Sequence, residues 1–213
     1  MRTSPEEIYQ RLFSHFGPQH WWPAESHFEM IVGAILTQNT SWKNVEKALR
    51  PLKARHLLTP FALHEISEEE LGCLIRPCGF FNIKARRLKA MAHFIVTQYG
   101  GSLERMFSEK TDLLRKQLLG IKGVGPETAD SILLYAGGVP VFVVDAYTYR
   151  VFSRHGLISE EATYSEIQDY FMRQLPPDTQ LYNEYHALIV NTGKFFCKAI
   201  PDCAHCPLGD LMD

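Results

Sequence analysis

Apolar side chains recur at helical spacing along nearly the whole chain. The 3.6-residue period is clearest over residues 28–35, 88–95 and 167–171. Proline and glycine residues interrupt the period repeatedly and divide it into short segments. We therefore predict six or more short helices between Glu25 and Ala136, and several more up to Gly193.

One short segment departs from the helical pattern. Val141-Phe142-Val143-Val144 has the composition of a β-strand, but the chain offers no second strand with which it could pair. We predict that it forms a buried, extended connector. Upstream, Ser67 followed by Glu70 is typical of a capping box and predicts the start of a short helix. Together these patterns predict an all-α fold.

The composition is that of a folded protein. The 213 residues are 46% hydrophobic and 22% charged, which excludes a disordered chain and allows one large core or two small ones. The apolar stretches are too short to cross a bilayer, which excludes a membrane-spanning protein. The first seven residues lack the apolar core of a signal peptide, so we expect a cytoplasmic protein.

The charge of the chain does not select a function. A formal net charge of −2 disfavours binding to nucleic acid through bulk charge. Basic residues cluster at 43–55 and again at Lys84, Arg86, Arg87 and Lys89. Either cluster by itself is most simply an exposed helix face.

The most informative stretch is residues 118–129, where an apolar helix ends and a second helix begins. Gly123-Val124-Gly125 predicts a tight turn, and Pro126 suits the first turn of a helix because its missing N–H costs nothing there. Glycines let the backbone approach a ligand closely, and the free N–H groups of a helix start bind anions. This is the pattern of a helix–hairpin–helix, which grips DNA phosphates without reading sequence. The alternative is an ordinary turn between two helices. The candidate DNA contacts are Lys122, Gly123, Val124, Gly125 and Thr128.

Asp145 follows the apolar connector and begins a helix that carries Tyr149 and Val151. An N-cap alone would account for an aspartate there. A carboxylate held beside apolar side chains can also stabilise positive charge that develops on a sugar, or activate water against it. Both interpretations can hold together.

The five cysteines are an odd number, which disfavours a framework of disulfides. Cys197, Cys203 and Cys206 fall within the last 17 residues, and this crowding indicates a metal site. Cys73 and Cys78 are predicted to be buried apolar side chains.

The hairpin, the aspartate 18 residues after Glu127 and the C-terminal cysteines resemble, in this order, the endonuclease III superfamily of DNA glycosylases. Residues 33–40 resemble it too, and the likeness extends over roughly residues 21–206. The resemblance implies two helical domains with a DNA cleft between them. One is a six-helix barrel of residues 22–138, with the hairpin at about 112–136. The other combines residues 1–21 with 139–213 and carries Asp145 as the catalytic residue.

The chain departs from the superfamily at Glu127. Bifunctional members carry a lysine at this position, which forms a Schiff base with the sugar and leads to a nicked strand. A glutamate cannot form an imine, and Lys122 lies before the turn and does not match. The departure predicts that water and Asp145 hydrolyse the glycosidic bond, with no lyase activity and the abasic site left intact.

Three segments are similar to the endonuclease III-like 3-methyladenine glycosylases, namely Trp21-Trp22-Pro23, residues 36–40 and residues 76–82. Those relatives also have an acidic residue at the position of Glu127 and an aromatic pocket. An N-alkylated purine is cationic and stacks well on electron-rich rings, for which Trp21, Trp22 and Trp42 are the candidate walls. For each tryptophan, core packing or a surface anchor is an equal alternative.

A flipped base leaves a gap in the duplex that a side chain must fill. By position in the superfamily, Gln38 enters this gap from the side of the lesion strand and Phe80 enters from the opposite strand. The alternatives are a polar residue at a helix C-terminus for Gln38 and a core aromatic for Phe80. Phe81 competes for either role.

The C-terminal cysteines only partly match the superfamily's [4Fe–4S] loop. Five residues separate Cys197 from Cys203 and two separate Cys203 from Cys206, one fewer in the first interval than in the superfamily, and Met212 stands at the fourth position. Three thiolates can still hold a cubane cluster with one iron bound otherwise. A cluster ranks first, no metal second, and a zinc site that includes His205 third.

These observations predict a monomeric, monofunctional DNA glycosylase that acts on damaged bases in double-stranded DNA, at the nucleoid if the source is bacterial. Alkylated purines such as 3-methyladenine are the first candidate substrates. An endonuclease III-type enzyme for oxidised pyrimidines or mismatched bases is the alternative. A third interpretation is a helix–hairpin–helix protein that binds DNA without turnover, and the aspartate at the matching distance argues against it.

Overall fold

The computed structural model describes residues 3–212, without the side chain of residue 212. Within this range the chain forms helices and connectors and no strand, which confirms the predicted all-α fold. The twelve α-helices are α1 (Pro5–Phe16), α2 (His27–Leu36), α3 (Trp42–Ala54), α4 (Pro60–Glu65), α5 (Glu68–Leu74), α6 (Phe81–Tyr99), α7 (Leu103–Phe107), α8 (Thr111–Leu119), α9 (Pro126–Ser131), α10 (Ala146–Arg154), α11 (Tyr164–Met172) and α12 (Thr179–Phe195). Short 3₁₀ turns cover Arg76–Cys78 and Gly209–Met212, and a π-helical segment, Ile132–Ala136, continues α9. None of the helices described is long and apolar enough to span a membrane.

The helices form two compact units. One unit comprises Ala24–Gly137 and contains α2 to α9. The other combines the segment up to Pro23, which carries α1, with the segment from Gly138 onward, which carries α10 to α12. The sequence predicts these boundaries at residues 22 and 138.

The first unit is built around α2. Eight of its ten residues are buried, and it packs against α3, α6, α9 and the π-helical segment. The one buried acid on this helix, Glu29, is 3% exposed, and its carboxylate lies 2.8 Å from the ammonium of Lys53. Because that partner comes from α3, the ion pair also ties the two helices together.

The second unit has an aromatic core. Phe142 stacks on Phe171 with ring centroids 4.0 Å apart, and Tyr182 and Tyr185 meet Phe142 edge to face. Phe142 belongs to the segment 141–144, which is buried and forms neither a helix nor a strand. This confirms the prediction of a buried connector.

Two predictions about single side chains are wrong. Cys73 is exposed, because α5 buries the face that carries Leu71 and Gly72 and position 73 falls on the opposite face. Lys84, assigned to an exposed basic face, is only 1% exposed. Its ammonium donates hydrogen bonds to the carbonyls of Leu36 (2.9 Å) and Cys78 (2.8 Å), which offset the cost of burial.

Candidate DNA-binding and glycosylase site

The predicted hairpin is formed by α8, a short turn and α9. Gly123 has a φ of +91°, a left-handed backbone that favours glycine, and Pro126 is the first residue of α9. The N–H of Val124 donates to the carbonyl of Ile121 (3.0 Å), and the Val124 side chain is buried beneath the turn. Apart from Gly125 itself and its two chain neighbours, no heavy atom of the described residues lies within 4 Å of where a Cβ on Gly125 would be. The turn is therefore anchored on one side and open at Gly125, where a ligand can approach its backbone.

Gln38 lies just beyond the end of α2 and is joined to this hairpin. Its amide nitrogen donates to the carbonyl of Gly123 (3.1 Å) and to the hydroxyl of Thr128 (2.8 Å). Its amide oxygen accepts a hydrogen bond from Arg87. The structure thus brings Gln38 together with two of the candidate DNA contacts, while its role as a wedge stays a prediction.

Phe80 precedes α6 in a left-handed conformation, with a φ of +46° and 67% of the residue exposed. The alternative of a core aromatic is therefore wrong for Phe80. Its neighbour Phe81 is half-buried and lies beneath the guanidinium of Arg76, 5.5 Å from the ring centroid. A bulky residue in this backbone region is strained, and such strain is typical of functional positions. The wedge role of Phe80 stays a prediction.

Asp145 is the N-cap of α10, as its sequence position predicts. One carboxylate oxygen, Oδ1, accepts from the backbone N–H of Thr148 (2.7 Å) and from its hydroxyl (3.0 Å). The other oxygen, Oδ2, lies 3.6 Å from Nε2 of His186, and the Asp145 side chain is 12% exposed. Burial raises the pKa of Asp145, but His186 and Thr148 together outweigh it and bring the pKa below its ordinary value. The carboxylate is therefore ionised at neutral pH, with one oxygen engaged in the cap.

Two side chains of α12 lie near Asp145, and the sequence alone predicts neither of them as part of the site. His186 is a single histidine within an apolar stretch and is 6% exposed, so only its place in the fold reveals its partner. The Lys194 ammonium lies 5.6 Å from the centre of the Trp21 ring. Burial lowers the pKa of Lys194, and the charge of Asp145 acts in the opposite direction. The carboxylate is therefore accompanied by a histidine and an amine from one helix.

The three candidate pocket tryptophans lie in different parts of the chain. Trp21 and Trp22 are half-buried and meet edge to face, with centroids 5.9 Å apart. Trp42 begins α3 in the other unit, and its indole N–H donates to Glu46 (3.2 Å). The structure groups two of the three rings, and their role in base binding stays a prediction.

Glu127 is the second residue of α9 and is exposed, as is Lys122 before the turn. In the described part of α9 no side chain is an amine, since the helix reads Pro-Glu-Thr-Ala-Asp-Ser. A Schiff base cannot form on this helix.

Cys197, Cys203 and Cys206 line one small cavity in the structure. Among the residues described, no three Cys, His, Asp or Glu side chains form a group that could hold a metal ion. The cavity beside Cys197, Cys203 and Cys206 has a volume of about 30 Å³, room for one or two waters. Arg154 lines it and donates to the sulfur of Cys197 (3.4 Å) and the carbonyl of Lys198 (2.6 Å). The residues as placed do not fit the [4Fe–4S] cluster that the resemblance implies.

The described residues do not form the alternative zinc site either. The Nδ1 atom of His205 lies 2.8 Å from the carboxylate of Asp202, and both side chains are exposed. The fourth cluster position, Met212, has its side chain outside the described residues. The ranking of cluster, no metal and zinc stays a prediction.

Comparisons with known proteins agree with this geometry. The profile of the HhH-GPD superfamily of base excision DNA repair proteins matches residues 32–177. A protein of Methanocaldococcus jannaschii with the provisional name of DNA repair glycosylase is 53% identical over 206 residues, covering 96% of this chain and 94% of its own. Endonuclease III of Rickettsia conorii is 30% identical, with 97% of this chain and 96% of its own covered.

A solved structure is similar as well. The crystal structure of the 3-methyladenine DNA glycosylase of H. pylori, bound to 1,N6-ethenoadenine, superposes with a TM-score of 0.78 at 31% identity. The match covers 90% of this chain and 98% of that one. The chain therefore belongs to the HhH-GPD superfamily of base excision DNA repair proteins, to which endonuclease III is related.

Proposed function

We propose that the chain is a monofunctional DNA glycosylase, which flips a damaged base out of a duplex and hydrolyses its N-glycosidic bond. The observation that carries this proposal is the position of the Asp145 carboxylate, 12% exposed, at the start of α10 in a member of this superfamily. One oxygen is engaged in the helix cap, while the other faces His186 at 3.6 Å. That division leaves Oδ2 as the oxygen that would meet a sugar.

In the proposed reaction, the bond between C1′ and the base nitrogen breaks and its electron pair leaves with the base. Positive charge develops on the sugar, and the negative charge of Asp145 stabilises it. Water then forms the new C1′–O bond and gives up a proton to the carboxylate. The step needs Asp145 in its ionised state, which His186 and Thr148 favour against the effect of burial on its pKa.

The product would be an intact abasic site, because Glu127 cannot form the imine on which strand cleavage depends. Lys194 is the amine that accompanies Asp145 in the same unit. A borohydride-trapped complex, lost on Lys194→Gln, would assign lyase chemistry to that amine and contradict the monofunctional proposal.

Alkylated purines such as 3-methyladenine are the proposed substrates. The similarity to the H. pylori 3-methyladenine DNA glycosylase supports this, as do the adjacent rings of Trp21 and Trp22. Electron-rich rings favour a cationic base.

A second candidate substrate class is supported by one observation. The ammonium of Lys194 already lies over the ring of Trp21, where it would repel a cationic base. A neutral base would not meet this repulsion. An oxidised pyrimidine or a mismatched base is therefore the alternative substrate, in keeping with the similarity to endonuclease III of Rickettsia conorii.

The test is release of free base from four duplexes that share one sequence. They contain 3-methyladenine, thymine glycol, a G·T mismatch or a G·U mismatch, and each is assayed with and without borohydride. Release of 3-methyladenine without nicking or a trapped adduct supports the first proposal. Release only from the mismatched or oxidised duplexes supports the second. Asp145→Asn is the matched inactive control, and its undiminished activity on any duplex would contradict the mechanism.

A further inference from the structure

The hairpin turn is held from behind by a chain of hydrogen bonds. Arg87 of α6 donates to the amide oxygen of Gln38, whose amide nitrogen donates to both Gly123 and Thr128. Arg87 lies 49 residues after Gln38 in the sequence, and Gly123 lies 85 residues after it. The amide of Gln38 therefore connects three separate parts of the unit. Both hydrogens of the Gln38 amide and its oxygen are engaged.

Arg87 also packs directly against the turn. A Cβ placed on Gly123 would lie 2.4 Å from Nε of Arg87, 2.6 Å from its Cγ and 2.7 Å from its Cδ. Real Cβ atoms do not approach other atoms so closely, so the Arg87 side chain occupies the space that any larger residue at position 123 would need. The turn therefore has Arg87 beneath Gly123 and Gln38 bonded to its carbonyl.

A turn that presents backbone amides to a phosphate gains from being ordered beforehand. Glycine loses more conformational freedom on ordering than other residues, and this turn contains Gly123 and Gly125. If the turn is already held in shape, less ordering is required when the ligand binds, and affinity rises. The hydrogen-bonded amide of Gln38 is placed to do this in the free protein.

We propose that Gln38 and Arg87 are positioning residues that hold the phosphate-binding turn in shape before DNA binds. The proposal rests on the DNA binding of the hairpin under the proposed function. It assigns Gln38 a part in binding any duplex, damaged or not. A wedge, by contrast, acts only where a base has been flipped.

The experiment measures the dissociation constant for an undamaged duplex, over a range of salt concentrations, for four single variants and for the double variant Gln38→Met/Arg87→Met. Gln38→Met removes the hydrogen bonds at nearly constant side-chain size, and Arg87→Met removes the anchor. Arg87→Lys restores one donor. Arg86→Met is the matched control, because Arg86 is exposed, pairs with Glu68 at 3.2 Å and carries the same charge one position away.

We expect Gln38→Met and Arg87→Met each to weaken binding to the undamaged duplex about three- to tenfold, as for the loss of one net hydrogen bond. The double variant should be little weaker than either one, because both act through the same link. Arg87→Lys should recover part of the affinity, and Arg86→Met should change it less than Arg87→Met. The salt dependence should stay unchanged in Arg87→Met, whereas loss of a direct phosphate contact would lower its slope by about 1.

Two further readouts separate positioning from other roles. In the free Gln38→Met and Arg87→Met proteins, amide hydrogen exchange over residues 121–128 should become faster. The thermal unfolding curve of each protein should still show a single transition. The rate of base release by the Arg87→Met protein at saturating enzyme should stay within about twofold of the parent.

Three outcomes would overturn the proposal. They are unchanged affinity for undamaged DNA in Gln38→Met, a reduced salt slope in Arg87→Met, or slower base release at saturation with unchanged affinity. The last would show that Gln38 is a wedge. Because binding to undamaged DNA needs no turnover, a chain without glycosylase activity could still pass this test, and the two proposals fail separately.

Discussion

Replacing Asp145 by asparagine separates the two duties of this residue. Asparagine keeps an oxygen that can accept from Thr148, whose N–H lies 2.7 Å from Oδ1, and Asn and Asp cap helices about equally well. It removes the negative charge that faces His186. The cap should therefore survive in Asp145→Asn while the proposed charge stabilisation is lost.

The expected magnitudes differ between the two readouts. An N-cap hydrogen bond contributes about 1 kcal/mol. In a chain of 213 residues, 1 kcal/mol corresponds to about 2–4 °C in melting temperature. We expect Asp145→Ala to lose at least this much and Asp145→Asn less than half of it. Base release should fall about 100-fold or more in both, the size of effect typical for loss of a charge-stabilising group.

The assay is single-turnover base release at saturating enzyme, with melting temperature measured on the same preparations. Saturation removes differences in DNA affinity from the comparison. An Asp145→Asn protein that keeps more than about one-tenth of the parental rate would refute the charge argument. An Asp145→Ala protein that melts at the parental temperature would refute the capping argument.

Four further expectations follow from the same structure. His186 lowers the pKa of Asp145 in the folded protein, so the stability from this carboxylate is present above its unfolded pKa and is lost as the pH falls through the lower folded value. Without His186 the pKa of Asp145 should rise, so His186→Phe should move the acidic limb of the pH–rate profile to higher pH. An acidic limb at the parental pH would contradict the effect of His186 on Asp145. Gly123→Ala places a methyl group 2.4 Å from Arg87 at a φ of +91° and should destabilise the fold by about 1–2 kcal/mol in denaturant titrations, together with weaker DNA binding. Phe80→Gly relieves the left-handed strain, so it should keep or raise the melting temperature while base release slows. Its control is Ile83→Ala, which removes an exposed apolar side chain from α6, the helix that Phe80 precedes. The iron and zinc content of protein purified without oxygen tests the placement of these residues: well under one equivalent is expected because no three metal-binding side chains form a group among the described residues, and a stoichiometric cluster would bear out the ranking made from the sequence and show that the loop rearranges around it.

Much of the fold could be predicted from local pattern. The apolar period and the helix-breaking residues predict the helices, and the missing partner strand predicts the extended connector at 141–144. The cap at Asp145 and the turn before Pro126 are equally local, since capping and turn chemistry depend on neighbouring residues.

The rest depends on contacts that no local pattern encodes. His186 reaches Asp145 across 41 residues of sequence, and a single histidine in an apolar helix gives no sign of its partner. Charge patterning wrongly predicts an exposed Lys84, because the pattern does not show the carbonyls of Leu36, 48 residues away, and Cys78, which accept its hydrogen bonds and offset the cost of burial. The link between Gln38 and Gly123 is likewise a product of folding.

The buried ammonium of Lys84 joins two segments that carry candidate DNA-contacting side chains. It bonds at once to the last residue of α2, two positions before Gln38, and to Cys78, two positions before Phe80. The segments that lead to Gln38 and Phe80 are thus attached to one buried ammonium. The folded protein therefore holds these two segments together before any DNA binds. A substitution of Gln38 or Phe80 therefore changes a side chain beside one of these two carbonyls and leaves the link through Lys84 in place.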